Sequence, residues 1–131
     1  NDSDEELTAL TQWVARELGS DVPLHFSAFH PAHRMLDTPP TPPATLQRAH
    51  TIALKAGLNF VYLGNVHDPD GDTTFCPTCH ESLIVRDWYQ IERRSLAQGG
   101  HCPGCGAAIA GRFEGAVGNF GRRRIPLSLG R

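Results

Sequence analysis

All four cysteines of this 131-residue chain fall in two matching turns, Cys76-Pro77-Thr78-Cys79 and Cys102-Pro103-Gly104-Cys105. A turn of this kind aims two thiolates and several backbone N–H groups at one point. Two such turns, here with 22 residues between them, complete a tetrahedral four-sulfur site for one metal ion when they face each other. Zinc is the expected ion, and iron also suits a tetrahedral sulfur site. Four protein sulfurs fill the coordination shell and leave no position for a reactive water, so the expected role is structural rather than catalytic. His80 and His101 flank the ligands and are expected to lie outside the shell. Two disulfides would be the use of four cysteines in a secreted protein, but no basic-then-apolar segment opens the sequence.

The residues between the turns fit a small β-rich, rubredoxin-like ribbon. Leu83, Ile84 and Val85, then Trp88, Tyr89 and Ile91, suggest the strands of a hairpin, and Gly99 and Gly100 turn the chain back to the second cysteine pair. The charge pattern changes sign where the ribbon begins. Residues 1–74 carry ten Asp/Glu against four Lys/Arg, a balance of −6; residues 75–131 carry four against eight, a balance of +4. Such a change marks a boundary between two units. The division expected is 1–68, 69–115 for the ribbon, and a basic tail over 116–131.

The first unit reads as α/β. Ser3-Asp4-Glu5-Glu6 matches a capping box, with acidic residues at the positive end of a helix dipole. Leu7, Leu10, Val14 and Leu18 recur at helical spacing, and Gly19 suits the position just past the end. Leu24 to Phe29 is a short apolar strand. A proline-rich stretch follows, then a helix with Thr41 as its cap, Pro42 at its first position and Gly57 beyond its last turn. Phe60 to Leu63 is a second strand, closed by Gly64 and Asn65. A strand–helix–strand unit of this length makes a right-handed crossover between parallel strands. Two strands leave both edges open, so the unit is expected to sit in a larger sheet or barrel. Only Asn1 and Asp2 precede the cap, so the chain is expected to be a piece of something longer.

Outside the cysteines the sequence offers no complete catalytic set: no Ser-His-Asp group, phosphate loop or glycine fingerprint. Asp68, Asp70 and Asp72 around Gly71 resemble a calcium loop only in part, since Cys79 stands where the bidentate glutamate belongs. A solvated turn is expected there, and Arg122-Arg123-Arg124 reads as a solvated tail. Ligands of parallel α/β sheets sit at the carboxyl ends of the strands. His30, His33 and Arg34 follow the first strand, and Asn65 and His67 the second, with His30 nearest a strand end. No apolar run approaches the ~20 residues of a membrane span, and a cytoplasmic location is expected.

Several segments together resemble the C-terminal half of a known family. They are residues 1–6, Pro23-Leu24-His25-Phe26-Ser27-Ala28-Phe29-His30-Pro31, Thr38-Pro39-Pro40-Thr41-Pro42-Pro43 and Tyr62-Leu63-Gly64-Asn65-Val66, followed by the two cysteine turns. The family is that of the AmmeMemoRadiSam system radical SAM enzymes, related to the activating enzymes of glycyl-radical enzymes such as pyruvate formate-lyase. The resemblance implies the last strand–helix units of a partial TIM-type barrel followed by a zinc ribbon. It implies a parent enzyme that cleaves S-adenosylmethionine at a [4Fe–4S] cluster to make a 5′-deoxyadenosyl radical. His30, in Ala28-Phe29-His30, matches a histidine that contacts S-adenosylmethionine in the activating enzymes. The partners implied are the missing N-terminal half of the barrel and a protein substrate. The Cys-x-x-x-Cys-x-x-Cys cluster motif is absent from this sequence, so the chain alone is expected to be inactive. A second reading is a non-catalytic zinc-ribbon module for a protein or nucleic-acid partner, supported by the +4 balance and the arginine run. Nucleic acid is disfavoured because Trp88 and Tyr89 are a thin aromatic set for stacking bases.

Overall fold

The computed structural model describes residues 2–114. Arg122 to Arg124 and the basic tail lie outside the described residues. Helix α1, Asp4–Glu17, begins as the sequence predicts: the Ser3 hydroxyl accepts the Glu6 amide at 3.2 Å. Leu18 ends it and Gly19 takes φ 98° just beyond. The buried face is Leu7, Thr11 and Val14, whereas Leu10 and Leu18 of the predicted stripe are exposed. Thr11 can be fully buried because its hydroxyl donates to Leu7 O at 2.8 Å.

Strand β1 runs Leu24–Ser27, helix α2 Pro43–Lys55 and strand β2 Val61–Gly64, and the strands pair in parallel from Leu24↔Val61 to Ser27↔Gly64. This is the crossover unit that the sequence predicts. The ladder stops at Ser27 because the neck of the proline-rich loop takes over the backbone. The Phe29 amide donates to Thr41 Oγ1 at 3.0 Å, and the Thr41 amide to Phe29 O at 2.9 Å. The same bond corrects the start of α2. The Thr41 hydroxyl is engaged by Phe29, so Pro42 is the cap residue, without a side-chain bond, and Pro43 opens the helix.

Both helices cover one face of this small sheet. Val14, Ala53, Leu58 and Val61 form one buried cluster, with Leu24 and Phe26 against it, and Ala28, Leu46 and Leu63 form another. The alternate residues His25, Ser27, Tyr62 and Gly64 face the other way. Among the described residues no third strand joins the pair, and no barrel is formed.

After β2 the chain makes a one-turn helix, α3, Pro69–Asp72, in place of the predicted solvated turn. Asp68 caps it, accepting the Gly71 amide at 2.9 Å. Strands β3 (Thr74–Phe75), β4 (Ser82–Asp87) and β5 (Gln90–Arg94) then form an antiparallel sheet in that order. Asp87 pairs with Gln90, so Trp88 and Tyr89 are the hairpin turn and not strand residues. Trp88 takes a left-handed φ of 54°, which ends the ladder there. Leu83 and Ile84 are both buried, and the ribbon core joins them to Cys76, Cys102, Ile109 and Phe60. Phe60 comes from the edge of β2, so the two units share a core. No helix among the described residues is long and apolar enough to cross a membrane.

Candidate metal centre

The two cysteine turns are built alike, bond for bond. In the first, the Cys76 amide donates to Glu81 O and the His80 amide to Cys76 O, both at 2.9 Å. In the second, the Cys102 amide donates to Ala107 O and the Gly106 amide to Cys102 O, again at 2.9 Å. Each turn is closed by a left-handed residue after its second cysteine, His80 at φ 61° and Gly106 at φ 76°. The turns face each other, and all four sulfurs lie within 4.8 Å of one another. Cys76 and Cys105 Sγ are 3.6 Å apart, as are Cys79 and Cys102 Sγ. A disulfide needs about 2.05 Å between sulfurs, and all four cysteines are unbridged. Four sulfurs each about 2.3 Å from one tetrahedral ion would stand about 3.8 Å apart. The cluster therefore has the spacing of a four-thiolate metal site, and its chemistry is that of zinc or iron.

Backbone amides prepare the thiolates. Burial opposes ionisation of Cys76, but the amides of Cys79 and Thr78 and the neighbouring thiols outweigh it, lowering its pKa to about 6. The Glu81 amide favours the Cys79 thiolate, yet burial and the other three thiols push Cys79 up to about 12. Four adjacent thiols thus do not all ionise without a compensating positive charge, which a divalent cation supplies. Cys76 and Cys102 are buried while Cys79 and Cys105 are exposed, so one side of the cluster faces solvent. His80 and His101 are exposed and stand outside the cluster. Glu81 went unnoticed in the sequence: its carboxylate lies 3.7 Å from Cys102 Sγ, above Gly104, where a Cβ would collide with it.

The strand-end residues group separately. His30 is exposed, and its Nε2 lies 2.7 Å from Asn65 O, which ties the end of β1 to the end of β2. Asn65, at φ 58°, donates its side-chain amide to Ala28 O at 3.3 Å. His33 and Arg34 lie on the exposed proline-rich loop, and His67 sits 3.9 Å from Asp87 across the rim of the ribbon.

A protein of Methanocaldococcus jannaschii, named only as the uncharacterized protein MJ0808, is 40% identical over 110 residues. The match takes in 83% of this chain and 33% of the relative, so the chain spans about a third of that protein's length. No protein-family model and no solved structure matches the chain.

Proposed function

We propose that this chain is the C-terminal portion of a radical SAM enzyme, the last strand–helix units of its partial barrel followed by a structural zinc ribbon. The observation that carries the reading is the parallel β1–α2–β2 unit, with both helices on one face and the His30–Asn65 pair at its carboxyl end. Ligands of parallel α/β sheets lie at that end. The much longer relative is what a missing half of a barrel calls for.

The residues present divide the cofactors between this chain and the rest of the parent. Cys76, Cys79, Cys102 and Cys105 fit one zinc, which leaves no cysteine of this sequence for a [4Fe–4S] cluster. The zinc would supply cross-linking rather than chemistry, since no coordination position is open. S-adenosylmethionine, bound to a cluster held by the N-terminal half, would supply the radical. The part of this chain would be His30 at the mouth of the barrel, with its orientation set by Asn65. A protein substrate and a cytoplasmic location belong to the same proposal.

The full-length gene product is the proper test. Reconstituted with iron and sulfide without oxygen and reduced by dithionite, it should release 5′-deoxyadenosine from S-adenosylmethionine. The present chain should release none and should carry about one zinc. A full-length product that binds zinc, lacks an iron–sulfur chromophore and leaves S-adenosylmethionine intact would sink the proposal and favour a binding module.

A further inference from the structure

On the helix-free face of the parallel sheet, His25 and Tyr62 are cross-strand partners with ring centroids 5.0 Å apart. The next pair toward the carboxyl ends is Ser27 and Gly64, and a Cβ on Gly64 would come within 2.7 Å of Ser27 Oγ. Two large rings followed by two small residues make a floor that steps down where ligands of parallel sheets bind. Above it opens a cleft of about 490 Å³, lined also by Arg86, Trp88 and Tyr89 of the ribbon hairpin. That volume lies within the range of small-molecule sites.

Two features mark the hairpin side as built for a ligand. Arg86 is fixed: Nη1 donates to Asp72 O at 3.2 Å and to Thr74 Oγ1 at 2.9 Å, and the guanidinium carbon lies 5.5 Å from the Tyr62 ring centre. The Tyr62 hydroxyl meets the same Thr74 Oγ1 at 2.8 Å, so sheet and hairpin are locked together at this point. Among the described residues, Nε and Nη2 of Arg86 have no protein acceptor. The second feature is the turn itself. Two-residue hairpin turns favour Asn-Gly or Asp-Gly because a left-handed backbone is needed, and here Trp88 adopts φ 54° with Tyr89 beside it. Strain of this kind gathers at ligand sites, where the surrounding structure holds it in place. The sequence gives up an easy turn and places two aromatic rings at the cleft.

We propose that this cleft binds a small, flat, aromatic molecule carrying an anionic group. Its ring would lie against Trp88 and Tyr89, and its carboxylate or phosphate would take the remaining donors of Arg86, which suit a planar anion. Asp72, which also lines the cleft, offers an acceptor to an amino or hydroxyl group on the ring. The site requires neither a cluster nor a radical, so its failure and that of the radical SAM reading are separable.

The zinc-loaded, full 131-residue chain, labelled with nitrogen-15, is titrated with adenosine 5′-monophosphate and with 4-hydroxybenzoate. Adenosine and inorganic phosphate serve as the ring and the anion alone. At least one anionic aromatic probe should saturate and shift the amides of Ser27, Asn65, Arg86 and Tyr89, with adenosine and phosphate at least about tenfold weaker. Which probe binds distinguishes a nucleotide from an aromatic acid. Arg86→Gln should reduce the anionic probe to the affinity of its uncharged counterpart. Tyr89 is 69% exposed at the turn, so Tyr89→Ala keeps the fold, and it should weaken binding about tenfold through lost stacking. No saturable shift with either probe, shifts mapping elsewhere, or unchanged affinity in Tyr89→Ala would overturn the proposal.

Discussion

His30 Nε2 lies 2.7 Å from the main-chain oxygen of Asn65, joining the carboxyl ends of two parallel strands where their ladder has run out. A main-chain oxygen can only accept, so Nε2 is the donor of this bond. One partly solvated hydrogen bond contributes about 0.5–1.5 kcal/mol. His30→Ala should therefore lower the stability of this chain by about 1 kcal/mol or less and leave its zinc content unchanged. In the full-length protein the same variant should weaken S-adenosylmethionine binding, measured by titration calorimetry. His33→Ala, on the exposed loop, should change neither quantity. Equal affinity of wild type and His30→Ala would reduce His30 to a link between strand ends.

The two cysteine turns carry an internal comparison. His80 and Gly106 hold the same place, each donating its amide to the first cysteine's carbonyl at 2.9 Å with a left-handed backbone. A side chain costs roughly 1 kcal/mol there, and glycine loses more entropy on folding, so the two effects partly cancel. His80→Gly should stabilise the ribbon by up to about 1 kcal/mol. Gly106→Ala should destabilise it by about as much, although a Cβ at Gly106 would meet no atom within 4 Å. The cost is in the backbone, not in a clash. Chemical denaturation of the zinc-loaded protein measures both; equal stability of the two variants would show that the turns are not equivalent.

What the sequence revealed and what it hid follow from the range of the interactions. The cysteine site was legible because ligand spacing is local and nearly unique to that chemistry: the four residues predicted from two short turns are the four that meet in space. The β1–α2–β2 unit was legible from period and end signals. Thr41 was misread because its hydroxyl has two suitors, and the competing one, Phe29, is twelve residues away. Trp88 and Tyr89 were misread because β-formers in a hairpin resemble strand residues until the register is known, and here they form the turn. Arg86 and Phe60 act through partners brought near by the ribbon's docking, and Glu81 through a cysteine of the facing turn. No local pattern announces such partners.

Asp68 and Asp72, at the two ends of the single turn α3, respond to pH in opposite senses. The Gln47 side-chain amide, at 2.9 Å, and the Gly71 amide hold the Asp68 carboxyl below its ordinary value. Its contribution is present above the unfolded value near 4 and is lost as pH falls through the lower folded value. Burial raises Asp72 above its ordinary value. Its contribution is present below the unfolded value and is lost as pH rises through the folded one. Asp68→Ala should cost roughly 0.5–2 kcal/mol at pH 7, as a lost cap does, and the deficit should shrink below about pH 4. Asp72→Asn should raise the melting temperature slightly at pH 7 and not at pH 3. Thermal melts across that range check the signs, and a uniform loss for both variants would contradict them.

Phe60 stands at the start of β2, yet its ring is buried in the ribbon core with Cys76, Leu83 and Cys102. Two of the four cysteines, the ribbon and the parallel sheet therefore share one core, reinforced by the Tyr62–Thr74 hydrogen bond. Two consequences follow. Phe60→Ala should cost about 3–5 kcal/mol and should also weaken zinc binding, because Cys76 and Cys102 belong to the core that Phe60 fills. If the proposed zinc is bound, removing it should forfeit on the order of 10 kcal/mol of ribbon folding, and part of the loss should reach the sheet through Phe60. Hydrogen exchange at the amides of Leu24 and Ala28, which bond to Phe60 O and Gly64 O, reads the sheet separately from the ribbon. Chelation of the metal should speed exchange at both amides, more at Leu24 because its acceptor belongs to Phe60. Unchanged protection after complete loss of zinc would show that the two units fold independently and that Phe60 is only a contact between them.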